Sequence, residues 1–522
     1  MSFSAFYPRA NLWLKSYKDR RHAVHAADLP PLPVLPDGKT VHNTPMHLAP
    51  AVRKHCPPAL ACRIVRAWAF VSLIAGWAMG LAWADDAVDR MIGIPSASIA
   101  TSLPYQADPG GMRKWLSEHG LNYGLVYTGE VLANVSGGIR RGAIYEDKVQ
   151  TYVTVDLDKL IGWKGLSFYS NQFWIHGTGN LGRDFVGNLI TISNIEALPS
   201  NRLSELWLEQ KLFNDKLSLR IGQLTTDSEF FNSRYFNLFI NNDWPTITAE
   251  NLPSGGPAYP LSTPGVRLSI EPIEHLALLV AVLNGDPAGP GPGDAEVKNR
   301  HGLNFRLRDP PLLIGEGQYG YNQDKSSTGL AGMIRLGGWH HFGSFDDQRF
   351  DIAGLSLAHP LSSGIAARLR GNDGIYAIID QQIYRPPGGD ADSGIAFFSR
   401  ISASPSDSSR INFYVDGGVT FSGMISNRPD DKFGATFIYA NFSDRARGFN
   451  RDAILFTGMP QPIRDFEMTL ELTYQAPIRP GWTLQPDIQY VFHPGGHIPN
   501  PGAPSTAIRN SAIFGLRTTI TY

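Results

Sequence analysis

Hydrophobic and polar residues alternate along much of the chain, most clearly in its last segment. Phe514, Leu516 and Tyr522 share one parity, whereas Gly515 and Arg517 share the other. Because successive side chains of a strand point to opposite faces, this pattern predicts a strand with one apolar and one polar face. A strand that ends on an aromatic residue is typical of transmembrane β-barrels, in which aromatic residues mark the membrane interface.

The same period of two recurs in long segments upstream. These segments span residues 121–135, 149–157, 166–176, 204–224, 411–421, 466–474 and 482–492. Within residues 204–224, Asn214 and Asp215 form the predicted turn of a hairpin. The resulting register places Glu209 opposite Arg220 on the polar face, as an opposite-charge cross-strand pair.

Alternation alone also fits a soluble β-sandwich, so the fold class depends on further features. The strands are long enough to cross a bilayer, and aromatic residues lie at the ends of their apolar faces. An open sheet cannot stand in lipid, because its edge groups would lack hydrogen-bond partners. We therefore predict an all-β fold, a transmembrane antiparallel β-barrel over residues 121–522 with roughly 14 to 18 strands. A barrel of that width encloses a polar, water-filled lumen.

The first 84 residues predict export. An uncharged run from Ala67 to Ala84 follows four basic residues between positions 53 and 66, and it closes on Ala82-Trp83-Ala84 before Asp85. This pattern predicts a signal peptide cleaved after Ala84, with a retained transmembrane helix as the alternative. Residues 1–84 are thus predicted to be an N-terminal extension and signal peptide, with Met1 or Met46 as the start.

Residues 85–120 are predicted to be a periplasmic segment with one short helix. Met112, Trp115 and Leu116 fall at helical spacing, and Gly120 follows as a stop signal. The barrel domain begins directly afterwards, at residue 121.

Composition excludes several classes of protein. Both cysteines, Cys56 and Cys62, precede the predicted cleavage site, so the mature chain is predicted to lack disulfides and cysteine metal sites. The formal net charge of −1 gives no indication of nucleic-acid binding. The mean hydropathy is −0.16, and no long apolar run follows the signal, which excludes a polytopic helical membrane protein.

Catalytic motifs are missing from the sequence. It contains no G-x-S-x-G, H-E-x-x-H or glycine-rich phosphate loop. His340 and His341 are adjacent, and neighbours on a strand point to opposite faces, so they are poor joint metal ligands. We predict no enzymatic activity, no cofactor and no metal site.

Three segments rich in proline and glycine interrupt the strands, at residues 241–264, 285–297 and 385–394. A loop as long as 241–264 is usually functional or disordered. Its prolines and aromatic residues, including Trp244 and Tyr259, predict an ordered loop that folds inward and narrows the pore. Aspartates in these loops leave calcium binding open, but no EF-type spacing is present, which favours solvated loops.

Several segments resemble the carbohydrate-selective outer-membrane porins of the OprB type. They are LWLEQ (206–210), RIGQL (220–224), NLPSGGP (251–257), PGVRL (264–268), NGDP (284–287), QYVFHPGG (489–496) and GLRT (515–518). Their order along residues 110–522 is more specific than any one of them. The resemblance implies a barrel of about sixteen strands and diffusion of monosaccharides through a constricted pore. It also implies that the terminal aromatic, Tyr522, is read by the barrel insertion machinery.

A sugar pore needs aromatic surfaces for apolar sugar faces and polar groups for hydroxyls. Mixed signs of charge suit an uncharged polyhydroxy solute better than an ion, which single-sign rings would select. The alternative is that these are ordinary wall residues that hold the barrel in shape. The predicted pore-lining residues are Glu130, Arg140, Gln172, Trp174, His176, Glu209, Arg220 and Arg267.

Together these features predict a passive porin of the bacterial outer membrane that takes mono- or small oligosaccharides. Two alternatives remain at this point: a general porin without sugar preference, and a plugged barrel with a surface or adhesion role. The predicted partners are outer-membrane lipid and the insertion machinery, and the predicted state is a monomer or a homotrimer.

Overall fold

The structure is a computed structural model that describes residues 94, 97–103, 107–242, 244–324, 327–389 and 392–522. The predicted signal peptide, its cleavage site and the start of the periplasmic segment lie outside the described residues. The domain boundary at residue 84 therefore stays a prediction.

Sixteen antiparallel strands form a closed barrel, in which the first strand pairs with the last. This confirms the predicted all-β transmembrane barrel. Strands β1–β15 and β18 belong to the barrel, and β16 and β17 form a separate two-stranded sheet. The strands are β1 Leu121–Gly138, β2 Gly142–Asp156, β3 Leu166–Gly177, β4 Ser200–Leu212, β5 Leu217–Leu224, β6 Thr263–Ile273, β7 Leu276–Asn284, β8 Pro311–Tyr321, β9 Gly332–Asp351, β10 Ala366–Tyr384, β11 Gly394–Ala403, β12 Ile411–Ser422, β13 Lys432–Phe442, β14 Phe466–Arg479, β15 Trp482–Phe492, β16 Pro499–Asn500, β17 Ala503–Ala507 and β18 Arg509–Thr521.

The helices are short and lie between strands or before the barrel. The predicted N-terminal helix is present as Met112–Glu118, and Gly120 follows with a φ of +85°. Among the residues that the structure describes, no helix has both the length and the apolarity to cross a membrane. The α-helices are Met112–Glu118, Leu157–Ile161, Thr246–Asn251, Ala295–Lys298, Asp444–Thr457 and Pro494–His497. Short 3-10 turns span Ile99–Ser102, Pro109–Gly111, Phe236–Leu238 and Pro253–Gly255, and a π-helical turn spans Gly182–Val186.

In the last strand of the barrel, alternate side chains face outward and inward as predicted. Phe514 and Leu516 are 50% and 51% exposed on the outer surface, whereas Arg517 is 7% exposed. The predicted hairpin has the predicted register, with Glu209 opposite Arg220. An apolar outer surface and polar inner groups are what a barrel in lipid requires.

Candidate functional site in the barrel lumen

Two connections fold into the lumen instead of leaving it. Inner loop 1, residues 178–199, joins β3 to β4, and inner loop 2, residues 225–262, joins β5 to β6. Inner loop 2 contains the segment 241–264 that was predicted to fold inward, and residues of that segment such as Trp244, Ile247 and Leu252 are buried. Inner loop 1 was not among the segments predicted to fold inward.

Inner loop 2 packs its apolar side chains against the inner wall of β7–β13. Phe231 stacks on Tyr376 of β10 with ring centroids 4.0 Å apart and planes 6° from parallel. Phe239 lies against Phe398 of β11, at 5.7 Å between centroids. The wall residues that join this apolar cluster are Leu224, Leu279, Ala281, Leu283, Leu312, Ile314, Trp339, Tyr376, Ile378, Phe398, Ile411, Tyr414, Ile438, Ala440 and Phe442.

One wall glycine permits this close approach. A Cβ atom on Gly434 of β13 would lie 2.7 Å from the Phe239 ring. Any larger residue at this position would force the ring away from the wall. The fit between loop and wall is therefore steric as well as hydrophobic.

Four buried wall carboxylates, the anchor carboxylates Glu316, Asp380, Glu467 and Glu471, hold the inner loops through backbone N–H groups. Such N–H groups would otherwise be buried without a partner, which is costly.

Each anchor binds a defined part of one loop. In inner loop 2, Glu316 accepts from Phe231 at 2.8 Å, Asp380 from Arg234 at 3.1 Å, and Glu471 from Ile240 and Asn241 at 2.7 and 3.1 Å. In inner loop 1, Glu467 accepts from Leu189 and Ile190 at 2.9 and 2.7 Å.

The two inner loops also bind each other and the closing strands. The Asn194 N–H donates to the Ile240 carbonyl at 2.8 Å, and the Tyr259 hydroxyl donates to the Ile195 carbonyl at 2.8 Å. From the wall, the Gln489 amide donates to the Ile192 carbonyl at 2.9 Å. The loops thus form one fixed layer inside the barrel.

A cavity of about 260 Å³ remains between this layer and the wall. Its lining combines aromatic rings, amides, hydroxyls and charges of both signs. The rings are Phe173, Phe231, Trp244 and Tyr259, the charged groups are Lys148, Glu205, Asp227 and Arg400, and the amides are Asn171, Asn194, Asn232, Asn237 and Asn242. None of the eight predicted pore residues is among the lining residues.

Three of the predicted residues form a compact charged cluster near the cavity. Arg267 lies 2.8 Å from Glu209 and 2.8 Å from Glu229, and Arg220 lies 3.3 Å from each of these two carboxylates. Glu209 lies four residues beyond the cavity residue Glu205 on β4, or about 13 Å along the strand. The predicted Glu209–Arg220 contact is therefore present, within a larger network.

An aromatic column continues from this cluster across the inner wall. The Arg220 guanidinium lies 3.8 Å from the Trp207 ring centroid, Trp207 stacks on Tyr169 at 4.8 Å, and Tyr169 on Tyr152 at 6.5 Å. These are flat surfaces next to fixed charges, the combination that suits sugar rings.

Glu130 and Arg140 lie outside the charged cluster and contact inner loop 1 or the residues that hold it. Glu130 lies on the inner face and accepts from the Arg517 Nε at 2.7 Å, while Arg517 also donates to Asn194 of inner loop 1. Arg140 lies beyond the end of β1, where its Nε donates to the Asp184 carbonyl at 2.9 Å and its guanidinium lies 4.0 Å from the Phe185 ring. Both side chains support inner loop 1.

The placement of Gln172, Trp174 and His176 on the lumen wall was wrong. Trp174 belongs to an outward-facing row that runs through Val149 and Tyr127 to Ile520. Its side chain is 44% exposed.

Polarity is inverted in this part of β3 because the inner loops supply an apolar surface there. Phe173 and Ile175 face inward and pack with Ala197 and Tyr259 of those loops. His176 consequently binds Asp147 on the outside, at 2.8 Å.

A closed barrel with an apolar exterior, a terminal strand that pairs with the first strand, and loops folded into a polar lumen defines an outer-membrane porin. A sequence profile described as "Carbohydrate-selective porin, OprB family" matches residues 140–522. The chain belongs to this family, and it is a transmembrane β-barrel of the bacterial outer membrane.

The chain is also similar to two known proteins. Porin B of Pseudomonas aeruginosa is 26% identical over 410 residues, which cover 74% of this chain and 86% of that protein. A high-pH structure of Pseudomonas putida OprB superposes with a TM-score of 0.67 at 21% identity, and covers 80% of this chain and 97% of that one. The second likeness shows the fold.

Proposed function

We propose that the chain is a passive pore through which mono- and small oligosaccharides diffuse along their gradient, and that the inner loops form its constriction. The observation that carries this proposal is the cavity between loops and wall. Its rings can stack on the apolar faces of a sugar, and its amides and its charges of both signs can bind hydroxyls without favouring one sign of ion. Diffusion down a gradient requires neither a cofactor nor catalysis.

Swelling of proteoliposomes tests this function directly. We expect swelling with glucose and arabinose to be faster than with amino acids of similar size. If the swelling rates depended only on the size of the solute, the protein would be a general porin without sugar preference. The variant Glu205→Gln should reduce the preference for sugars, whereas Glu118→Gln, on the exposed helix before the barrel, should leave it unchanged.

A plugged barrel with a surface or adhesion role is the second candidate. The extensive packing of inner loop 2 on the wall favours it, because that packing removes much of the lumen from solvent. Absence of swelling with every solute, together with a normally folded barrel, would support this candidate and refute the pore.

We also propose that export precedes assembly, with cleavage after Ala84, and that the barrel inserts into lipid as a monomer or a homotrimer. N-terminal sequencing of protein from the outer-membrane fraction checks the cleavage, and a retained 67–84 segment would contradict it. If the insertion machinery recognises Tyr522, deletion of Tyr522 should lower the yield of folded barrel in cells more than it lowers the efficiency of refolding in detergent.

A further inference from the structure

Three potential metal ligands meet between two connections at the barrel end opposite the chain termini. Asp465 ends the connection between β13 and β14, and His493 and His497 begin the one that follows β15. One ligand atom from each residue lies within 4.8 Å of the other two. Nothing in the pore proposal uses this group.

The distances suit a single small cation. The Nδ1 atoms of His493 and His497 lie 3.1 and 3.0 Å from the same oxygen of Asp465, Oδ2. The two imidazoles are stacked with centroids 3.5 Å apart. Around a tetrahedral zinc ion with bonds of about 2.0–2.1 Å, neighbouring ligand atoms are about 3.3–3.4 Å apart. The two nitrogen–oxygen separations are already close to this value, and the two imidazoles must turn out of their stack for both Nδ1 lone pairs to point at one ion.

The local backbone holds the two imidazoles in this arrangement. His493 and His497 have φ values of +50° and +65°, which are uncommon for residues with a Cβ atom. Gly495 and Gly496 between them have φ values of +65° and +68°. The His493 N–H donates to Asn510 at 3.0 Å, so the turn is fixed from outside. The tight turn thus places two ring nitrogens beside one carboxylate, so that binding requires rotation of the rings but no rearrangement of the backbone.

The donor set selects the type of metal. Two imidazole nitrogens and one carboxylate oxygen suit zinc, nickel and copper, whereas calcium and magnesium prefer oxygen ligands alone. The side chains of His493, His497 and Asp465 are 24%, 31% and 33% exposed, respectively. This exposure leaves room for a water molecule as a fourth ligand. His340 and Asp373 are paired elsewhere, but a pair supplies only two donors.

We propose that Asp465, His493 and His497 bind one divalent transition-metal ion of the zinc type. The ion would tie together two connections that are otherwise joined mainly by hydrogen bonds. Gly495, within the same turn, donates its N–H to the anchor carboxylate Glu467. Metal binding would therefore brace the anchor that holds inner loop 1.

Isothermal titration of ZnCl₂ into the untagged barrel, purified from outer membranes in detergent, tests the proposal. We expect one Zn²⁺ per chain and a rise in the unfolding temperature, because an ion that binds only the folded state stabilises it. Asp465→Asn and His497→Gln should each weaken binding at least about tenfold, since even partners of metal ligands contribute 10- to 100-fold. Calcium should not compete.

A control variant and Co²⁺ spectroscopy distinguish binding at this site from binding by other histidines. His176→Gln removes an imidazole from a two-donor pair on the outer surface and should leave zinc binding unchanged. Visible absorption of bound Co²⁺ should appear in the wild type and in His176→Gln, and disappear in Asp465→Asn. Circular dichroism confirms that each variant is folded. No stoichiometric binding by the wild type, or equal binding by wild type and a folded Asp465→Asn, would overturn the site.

Discussion

The inner wall of the barrel has two sides of opposite character. On β2–β6 the inner face carries Lys148, Glu205, Glu209, Arg220 and Arg267 and borders the cavity and the charged cluster. On β7–β13 the inner face carries a large block of apolar side chains that inner loop 2 covers, with the charged groups Glu316, Asp380 and Arg400 buried beside them. A strand in this barrel therefore faces lipid on one side and either solvent or packed protein on the other. What covers a strand inside decides which residues it can carry.

The chain reflects this difference in its patterns. In the β4–β5 hairpin, outward apolar residues such as Leu208, Leu219 and Ile221 alternate with inward residues such as Glu209 and Arg220. In contrast, β7 reads LALLVAVLN without alternation, because Val280 and Val282 face outward while Ala281 and Leu283 face the packed interior. A continuous apolar run is typical of a strand buried on both faces. It is the signal by which the covered wall could have been found.

Removing the covering loop should have the largest effect. Replacing residues 230–256 with a short glycine-serine linker is expected to raise single-channel conductance several-fold and to abolish discrimination between sugars. The newly exposed apolar wall should also lower the unfolding temperature. Planar-bilayer recordings check this, and unchanged conductance would place the constriction on the strand wall, beside the charged cluster.

Releasing the loop without deleting it should have a smaller effect. The double change Asp380→Ala and Glu471→Ala removes acceptors of loop N–H groups, and each hydrogen bond contributes about 0.5–1.5 kcal/mol. We expect faster proteolysis within inner loop 2 and noisier current. Asp346→Ala is the control, because its pair with Arg368 is exposed and such pairs contribute about 0–1 kcal/mol. Equal proteolysis in both variants would exclude an anchoring role.

Acidity should stabilise inner loop 1. Burial raises the pKa of the Glu196 carboxyl to about 7, above its value in an unfolded chain. The folded protein therefore retains a proton that the unfolded chain has lost, so this contribution to stability falls as pH rises from about 4.5 to 7. Glu196→Gln should reduce the change of the unfolding temperature with pH between pH 5 and pH 8. A variant that keeps the full wild-type slope would assign the dependence to other groups.

The charged cluster should show the smallest effect. Because Arg267 also binds Glu209, a double-mutant cycle of Glu209→Gln and Arg220→Gln should give a coupling near the lower end of the range of about 0.5–3 kcal/mol for residues in contact. Sugar flux should change more than stability, since the pair shapes the local field. The exposed Lys211–Asp215 pair, 3.9 Å apart, is the reference cycle. Coupling no larger than in that pair, with unchanged flux, would make the cluster a passive part of the wall.

Much of the barrel was predictable because its causes are local. The outward Phe514 and Leu516, the inward Arg517 and the Glu209–Arg220 register all follow from alternation and one turn. These features need only neighbouring residues, whose spacing the sequence states directly.

The interior was not predictable in the same way. Glu467 and Glu471 look like ordinary wall residues in the sequence, and their partners lie 278 and 231 positions away. Gln172, Trp174 and His176 were misplaced because the apolar partner of Phe173 is a distant loop. The cluster of Asp465, His493 and His497 could not be found from the sequence, because two separate connections bring it together.

These long separations have a consequence for the order of assembly. Inner loop 1 is synthesised early, yet Gln489 and Arg517, which hold it, come from the last two barrel strands, 297 and 324 residues later. Contacts so distant in sequence form late, because a long chain must first be brought together. Until the last strands pair with their neighbours, inner loop 1 lacks these hydrogen bonds. The lumen of an incompletely closed barrel should therefore be wider than the lumen of the folded barrel. Closure of the wall and narrowing of the lumen would then be one cooperative event.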